Sequence, residues 1–341
     1  TTGGNLSNSN LYVNSNGLNI TAIVPNNFTT PDYTSTHKPV NATEITSAKI
    51  NSANYFSQTY GLFQWTVSTP SGSGLWPAAW MMPKNSSYGG WPTSGEIDVV
   101  ESGGSGQQAN KTVQGTYHSG TSYMADQSGT AIYSNASFDT RNVNTYNLLW
   151  IPAGGKWNGQ AYPNGLLAWY VNGNLYEARN GGWYKPPGGG AGAPFDKPFY
   201  FILNMAVGGF YVGYPTGGTR PPIGAGSYTM TISDVQAFQL PIQGDVNRDG
   251  HLDSKDLAAM QSAVADPEDY AASLGLTTSQ LNLVGDINGD GVFNSADVQK
   301  LINTLKTGGG SESVPEPSTF VLLALGAIAV WGRKKLNRTV T

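Results

Sequence analysis

The sequence predicts an all-β domain followed by a small helical one, and three observations carry that expectation. Across residues 1 to 240 apolar residues alternate in short runs between Gly-, Asn- and Ser-rich turns, with no long helical periodicity before about residue 254. From residue 244 the composition shifts, and a segment recurs at a spacing of 41 residues. Each copy leads into an apolar-periodic helix, Leu257 to Val264 and Val298 to Leu305. The 341 residues include no cysteine, which excludes disulfide stapling and thiolate metal sites, yet the chain is long enough for a large core to hold it. The expected divisions are a domain over 1–240, a second over 241–307, a linker over 308–319 and an apolar segment over 320–341.

Taken in order, the chain opens on Thr1 rather than Met, with no basic region and apolar run ahead of the first strand-like segments. Its start therefore reads as processed or truncated, with a signal peptide expected upstream. Residues 11–24 alternate (Leu11, Val13, then Leu18, Ile20, Ala22, Val24), and 45–69 hold two more runs around Tyr60-Gly61-Leu62-Phe63. Ile232–Phe238 reads as the closing strand. Only 12% of the chain is charged, and residues 1–240 hold ten acids and ten bases, so that domain is formally neutral. It lacks the basic stripe that nucleic acid requires.

Gly95-Glu96-Ile97-Asp98-Val99-Val100-Glu101-Ser102 sets three carboxylates among β-branched residues, where a buried strand ordinarily carries none. Strand side chains alternate, so Glu96 and Asp98 share a face and Glu101 should point to the other. One extra residue, a bulge within Val99-Val100, returns Glu101 to their face. Retaining glycoside hydrolysis needs two carboxyl groups roughly 5 to 5.5 Å apart, one as nucleophile and one as general acid then base. Asp98, between the glutamates, would hydrogen-bond one neighbour and raise the proton affinity of the others by like-charge repulsion. A solvent-facing acidic edge is the competing reading, and the flanking Ile-Val-Val packing argues against it. Eight of the nine tryptophans lie in the first 240 residues and most must be core, Trp76 and Trp150 among them, although flat rings also stack on sugar faces. Asn204, inside Phe201–Val207, either closes a buried network or touches sugar.

Glu96-x-Asp98-x-x-Glu101 preceded by Trp91-Pro92-Thr93-Ser94-Gly95 resembles the signature of glycoside hydrolase family 16. Leu75–Pro83 resembles the segment just before that signature in laminarinase-like members, and Asn204-Met205-Ala206-Val207-Gly208-Gly209 resembles a later one. The resemblance covers most of residues 40–240. It implies a concanavalin-like jelly-roll sandwich and a retaining endo-β-glycanase with Glu96 as nucleophile, Asp98 as its partner, Glu101 as acid/base and no cofactor for catalysis. Trp80 and Trp91 resemble subsite tryptophans, and His118 stands where the family often has His followed by an aromatic, here replaced by Ser119. Together with Asn204 these are the expected substrate-binding residues. Family members usually begin with a further strand before the segment at Leu11-Tyr12-Val13, and Asp234 falls where they often ligate a structural calcium. The Gly-rich loops at 181–194 and 213–226, with Trp183, Tyr184, Tyr211 and Tyr214, could border the cleft. Laminarinases, agarases, carrageenases and porphyranases share the motif spacing, so it fixes the chemistry better than the sugar. The expected substrate is β-1,3-glucan of the laminarin type, with mixed-linkage β-1,3-1,4-glucan as an extension. An algal galactan hydrolase is one alternative, disfavoured for sulfated substrates by the scarcity of bases near the motif. A non-catalytic glucan-binding protein is the other, disfavoured by the intact Glu96 and Glu101.

The 41-residue repeat carries two calcium loops. Asp245, Asn247, Asp249, Asp253 and Asp256 in the first, and Asp286, Asn288, Asp290, Asn294 and Asp297 in the second, hold loop positions 1, 3, 5, 9 and 12, with Gly250 and Gly291 at position 6. Asp closes both loops and no entering helix is expected before either. These features resemble a type I dockerin, whose implied partner is a cohesin on a scaffold or surface protein. A calcium-stabilised spacer without a partner is the competing reading. Ser254-Lys255 is not matched by Ser295-Ala296, so the two candidate binding faces are not equivalent. Val314-Pro315-Glu316-Pro317-Ser318-Thr319, thirteen apolar or Gly residues from Phe320 to Gly332, and Arg333-Lys334-Lys335 complete the chain's notable features. Thirteen is short of the ~20 residues of a spanning helix. The order resembles the PEP-CTERM sorting signal of Gram-negative bacteria, which implies a secreted or cell-surface protein, a tail transiently in the membrane and its removal by an exosortase.

Overall fold

The computed structural model describes residues 7–25, 45–72, 74–103, 110–157, 160–208, 211–212, 225–249 and 251–307. Gly209, Tyr214, Gly250, the 308–319 linker and the 320–341 segment lie outside these. The chain forms two compact units, one of residues 1–155 and 162–237 and the other of residues 156–161 and 238–341.

Among the described residues the strands run β1 (Ser7–Asn8), β2 (Leu11–Asn14), β3 (Gly17–Val24), β4 (Lys49–Asn51), β5 (Gly61–Ser68), β6 (Leu75–Pro83), β7 (Glu96–Glu101), β8 (Thr112–His118), β9 (Gly129–Ser134), β10 (Asn144–Ile151), β11 (Gly155–Trp157), β12 (Gln160–Tyr162), β13 (Leu166–Val171), β14 (Asn174–Arg179), β15 (Phe199–Val207) and β16 (Gly226–Phe238). They form two antiparallel sheets, of eight strands in the order β1-β2-β3-β16-β5-β10-β13-β14 and of six in the order β4-β15-β6-β7-β8-β9, with β11-β12 as a separate ribbon. β16, last along the chain, lies inside its sheet between β3 and β5. The acidic strand β7 is likewise interior, paired on both sides, so the edge reading is excluded. Period-2 alternation sends Leu75, Ala79 and Met81 of β6 and Ile97 of β7 inward. There they join Phe63, Trp65, Trp150 and Trp169 from the facing sheet in one apolar cluster. The fold is the jelly-roll sandwich expected.

The second unit holds α1 (Lys255–Ala265), α2 (Pro267–Ser273), α3 (Thr278–Gly285) and α4 (Ser295–Lys306). Three of the four starts have a side-chain cap. Asp266 caps α2 ahead of Pro267, Thr277 and Gln280 form a capping box on α3, and Asn294 and Asp297 form another on α4. The repeat packs as a repeat, since Leu252 and Phe293, and Met260 and Leu301, 41 residues apart, share one small core. One expectation fails here: α3 runs directly into Asp286, so the second loop does have an entering helix. Its apolar pair Leu281 and Val284 is buried, and docking on the neighbouring helices stabilises a segment too short to be helical alone. No helix among the described residues is long and apolar enough to cross a membrane.

Candidate active site

On β7 the residues Ile97, Val99 and Val100 are buried in the core between the sheets. Two consecutive valines face inward because the pairing slips. Asp98 stands opposite Thr116 while Glu101 stands opposite Gln114, so β7 spends three steps where β8 spends two. The same slip appears against β6, where Ala79 pairs with Val100 and Trp80 with Asp98. The bulge thereby brings Glu101 to the open face of Glu96 and Asp98. Trp169, from the opposite sheet, donates its indole N–H to the Asp98 carbonyl at 2.9 Å. A backbone acceptor at the ladder's irregularity is thus satisfied from below. Just before the strand, Gly95 has φ +88°, and a Cβ there would come within 2.9 Å of Phe195, so only glycine lets the chain turn into β7 this close to the core.

Each glutamate accepts a hydrogen bond from a tryptophan. Trp91 Nε1 donates to Glu96 Oε2 at 2.8 Å, and Trp76 Nε1 donates to Glu101 Oε1 at 2.9 Å. Trp76 was expected in the core, but it lines the cleft and stacks on Tyr211 at 4.8 Å. The signal was available, because Trp76 and Trp80 are four apart on one strand and so share a face. Trp80 also lines the cleft and donates to Asn204 Oδ1 at 2.7 Å, which gives that amide oxygen its partner. Trp150 is core as expected, and Trp183 is packed in the same core rather than beside the cleft. Register places His118 opposite Glu96. Its Nε2 lies 3.3 Å from Asp98 Oδ2 and 3.9 Å from Glu96 Oε1. Its Nδ1 is 2.6 Å from Asp126 Oδ2, a partner the sequence reading missed because it arrives from a loop beyond β8. Lys49, also missed, holds its Nζ 4.6 Å over the Trp80 ring, so the cleft is less poor in bases than expected. The cleft encloses about 510 Å³ and its lining includes all three acids.

Burial lifts the proton affinity of the whole cluster. Glu96 is pushed up to about 8, first by desolvation and then by the Asp98 charge, while His118 and the Trp91 hydrogen bond pull it back. Glu101 is held well above the usual carboxylate range, again by burial and then by Asp98, against the Trp76 hydrogen bond. Asp98 is raised by burial, which its hydrogen bond with Glu96 offsets in part. Three carboxyl groups in one dry pocket titrate as a set and carry fewer than three charges near neutral pH. One ionised and one protonated group side by side is the state that acid-assisted nucleophilic displacement requires.

The two loops of the second unit share a set of hydrogen bonds. Asp256 and Asp297 are fully buried, and each carboxylate accepts one backbone N–H from position 3 and one from position 9 of its own loop. The N–H of Asp249 bonds Asp245 and Asn247, as that of Asp290 bonds Asp286 and Asn288. The donor set is all oxygen around a buried carboxylate, which fits a hard cation such as calcium. The loops differ at Lys255, whose Nζ lies 3.2 Å from Asp249 Oδ2 in the first and has no counterpart in the second.

An acid-lined, tryptophan-walled cleft across the interior strands of a jelly roll defines a glycosidase-type domain. The model of the XgeA-like catalytic domain of glycoside hydrolase family 16 matches residues 8–184, just over half of the chain. The chain belongs to glycoside hydrolase family 16, and it also carries a type I dockerin domain over residues 243–306 and a PEP-CTERM protein-sorting motif over 313–335. It is 32% identical over 237 residues to glucan endo-1,3-beta-glucosidase A1 of Niallia circulans, covering 68% of this chain and 31% of that protein. It is 33% identical over 196 residues to the keratan-sulfate endo-1,4-beta-galactosidase of Sphingobacterium multivorum, covering 57% of this chain and 40% of that one. The chain thus spans less than half the length of these curated relatives. Its structure is similar to the laminarinase catalytic domain of Thermotoga maritima, with TM-score 0.50 and 26% identity, covering 69% of this chain and 82% of that one.

Proposed function

We propose that the protein is a retaining endo-β-glycanase acting on β-1,3-glucan. The observation that carries the reading is the slip in β7 that sets Glu96, Asp98 and Glu101 on one face, each glutamate held by its own tryptophan. Glu96, nearer solvent, is the nucleophile that attacks the anomeric carbon in its ionised form, which the Trp91 hydrogen bond and His118 favour and whose share grows as pH rises towards 8. Glu101, the more deeply buried, holds its proton and gives it to the leaving oxygen, then takes one from the water that releases the glycosyl-enzyme. Asp98 hydrogen-bonds Glu96 and tunes it through charge. Trp76, Trp80 and Trp91 offer flat faces to successive sugars, with Asn204 fixing Trp80.

The formally neutral domain supports a neutral glucan, and the relatives from Niallia circulans and Thermotoga maritima support the 1,3-linkage. Reducing-sugar release should be fastest on laminarin, slower on lichenan and slowest on agarose and carrageenan. Faster release from a sulfated galactan would replace this substrate reading, and binding without release from any glycan would replace the enzymatic one.

The dockerin module supports attachment to a cohesin on a scaffold or surface protein, with calcium held by Asp245, Asn247, Asp249, Asp253 and Asp256 and by their counterparts in the second loop. Bound there, the ion supplies the charge that the clustered carboxylates lack. The PEP-CTERM motif supports export and processing by an exosortase, and so a secreted or cell-surface protein.

A further inference from the structure

Asp98 is only 3% exposed, and its Oδ2 has no hydrogen-bond partner. That oxygen points at His118 Nε2, 3.3 Å away, which in turn lies 3.9 Å from Glu96 Oε1. The far side of the ring is already committed to Asp126 at 2.6 Å. When the neutral ring donates its Nδ1 proton to Asp126 and the proton shared by Glu96 and Asp98 has left, Nε2 carries a lone pair and acceptor atoms of three residues converge. A proton can fill that space, and so can a metal ion. We infer that Glu96, Asp98 and His118 form a reversible binding site for a divalent ion of the zinc class, which occupies the catalytic centre and excludes the sugar.

The dimensions suit such an ion. Bonds of about 2.0 to 2.2 Å from zinc to nitrogen or oxygen give tetrahedral edges of about 3.3 to 3.6 Å. The His118–Asp98 edge already has that length, and the His118–Glu96 edge needs to shorten by about half an ångström. All three ligand atoms lie within 4.8 Å of one another. One imidazole with two carboxylates favours zinc or copper over the hard calcium ion, which belongs to the oxygen loops. Asp126 supplies the carboxylate that metal-bound histidines ordinarily use to fix their tautomer. Asp98 Oδ2 gains the partner it lacks.

The test uses the full chain stripped of transition metals and saturated with calcium, so that the loops are filled. Zinc binding is followed by calorimetry, and copper is used as a paramagnetic probe for a coordinated nitrogen. A saturable site is expected, weakened at least tenfold in His118→Gln and in the shape-preserving Asp98→Asn, and about tenfold in Asp126→Asn. The nitrogen signal should vanish in His118→Gln. Both readouts report binding whichever glycan is cleaved, or if none is. Equal zinc affinity in wild type and His118→Gln, or a nitrogen signal that survives that change, would overturn the inference. Laminarin hydrolysis should fall with zinc competitively, and hydrolysis untouched at saturation would overturn the exclusion of sugar.

Discussion

Glu96 and Glu101 carry the same functional group, so their division of labour has to come from what surrounds each. Glu101 is buried against Trp76, and Glu96 is closer to solvent beside Trp91 and His118. Under the proposed roles Glu96→Ala abolishes retaining hydrolysis, and azide, entering from the vacated side, restores turnover with inverted product. Glu101→Ala should slow glycan cleavage by about 10²- to 10⁴-fold, far less on a substrate with an activated leaving group, and azide should then yield retained product. Asp98→Asn should cost less than either. Anomers read by proton NMR decide it, and the opposite pairing of variant and anomer would swap the roles. The raised proton affinity of Glu96 also makes stability depend on pH. Its folded value of about 8 against 4.5 for the free group means the folded chain binds the extra proton between those limits. The stabilisation is complete below pH 4.5 and is lost as pH rises towards 8. Glu96→Gln removes that charge, so its melting temperature should exceed wild type at pH 8 by a few degrees, about 2 to 4 °C per kcal/mol, and match it near pH 4. Identical melting profiles across this range would contradict a burial-driven shift.

At the scale of the strand, the bulge depends on a support that comes from the other sheet. Trp169→Phe keeps most of the packing but leaves the Asp98 carbonyl without its donor. The expected cost is about 1 to 3 kcal/mol in urea denaturation, with a fall in turnover as the three acids lose register. Unchanged stability would show that the indole bond is not what holds the slip in place. The slip itself was legible because acids at 96, 98 and 101 cannot share a face on a regular strand flanked by Ile and Val. What alternation cannot reveal is which strands are neighbours. Lys49 reaches the cleft only because β4 pairs with β15, and Asp126 meets His118 only because a loop folds back over β8. The spacing of Trp76 to Trp80 puts both on one face of the strand, against the residue type's usual place in cores. α3 was missed although Thr277 and Gln280 spell its capping box, since a helix of eight residues gives little periodicity to read.

For the molecule as a whole, the two units answer to different chemistry. Nothing in the proposed cleavage uses calcium, whereas the second unit gathers its acids around buried Asp256 and Asp297. Chelation with EGTA should therefore abolish the helical part of the circular dichroism and leave laminarin hydrolysis intact. Helix that persists in excess chelator would show that the loops fold without the ion. Lys255, beside Asp249, already supplies a positive charge to the first loop, so the second should be the first to open as calcium is withdrawn. The bulge in β7 has a genetic consequence as well. Removal of one codon, for Val99 or Val100, keeps the reading frame and takes out the extra residue, so the three acids fall two apart and share a face on a regular strand without any slip. Such a descendant would keep the groove, its aromatic walls and its three facing acids, so a bulged and a regular catalytic strand lie one mutational step apart.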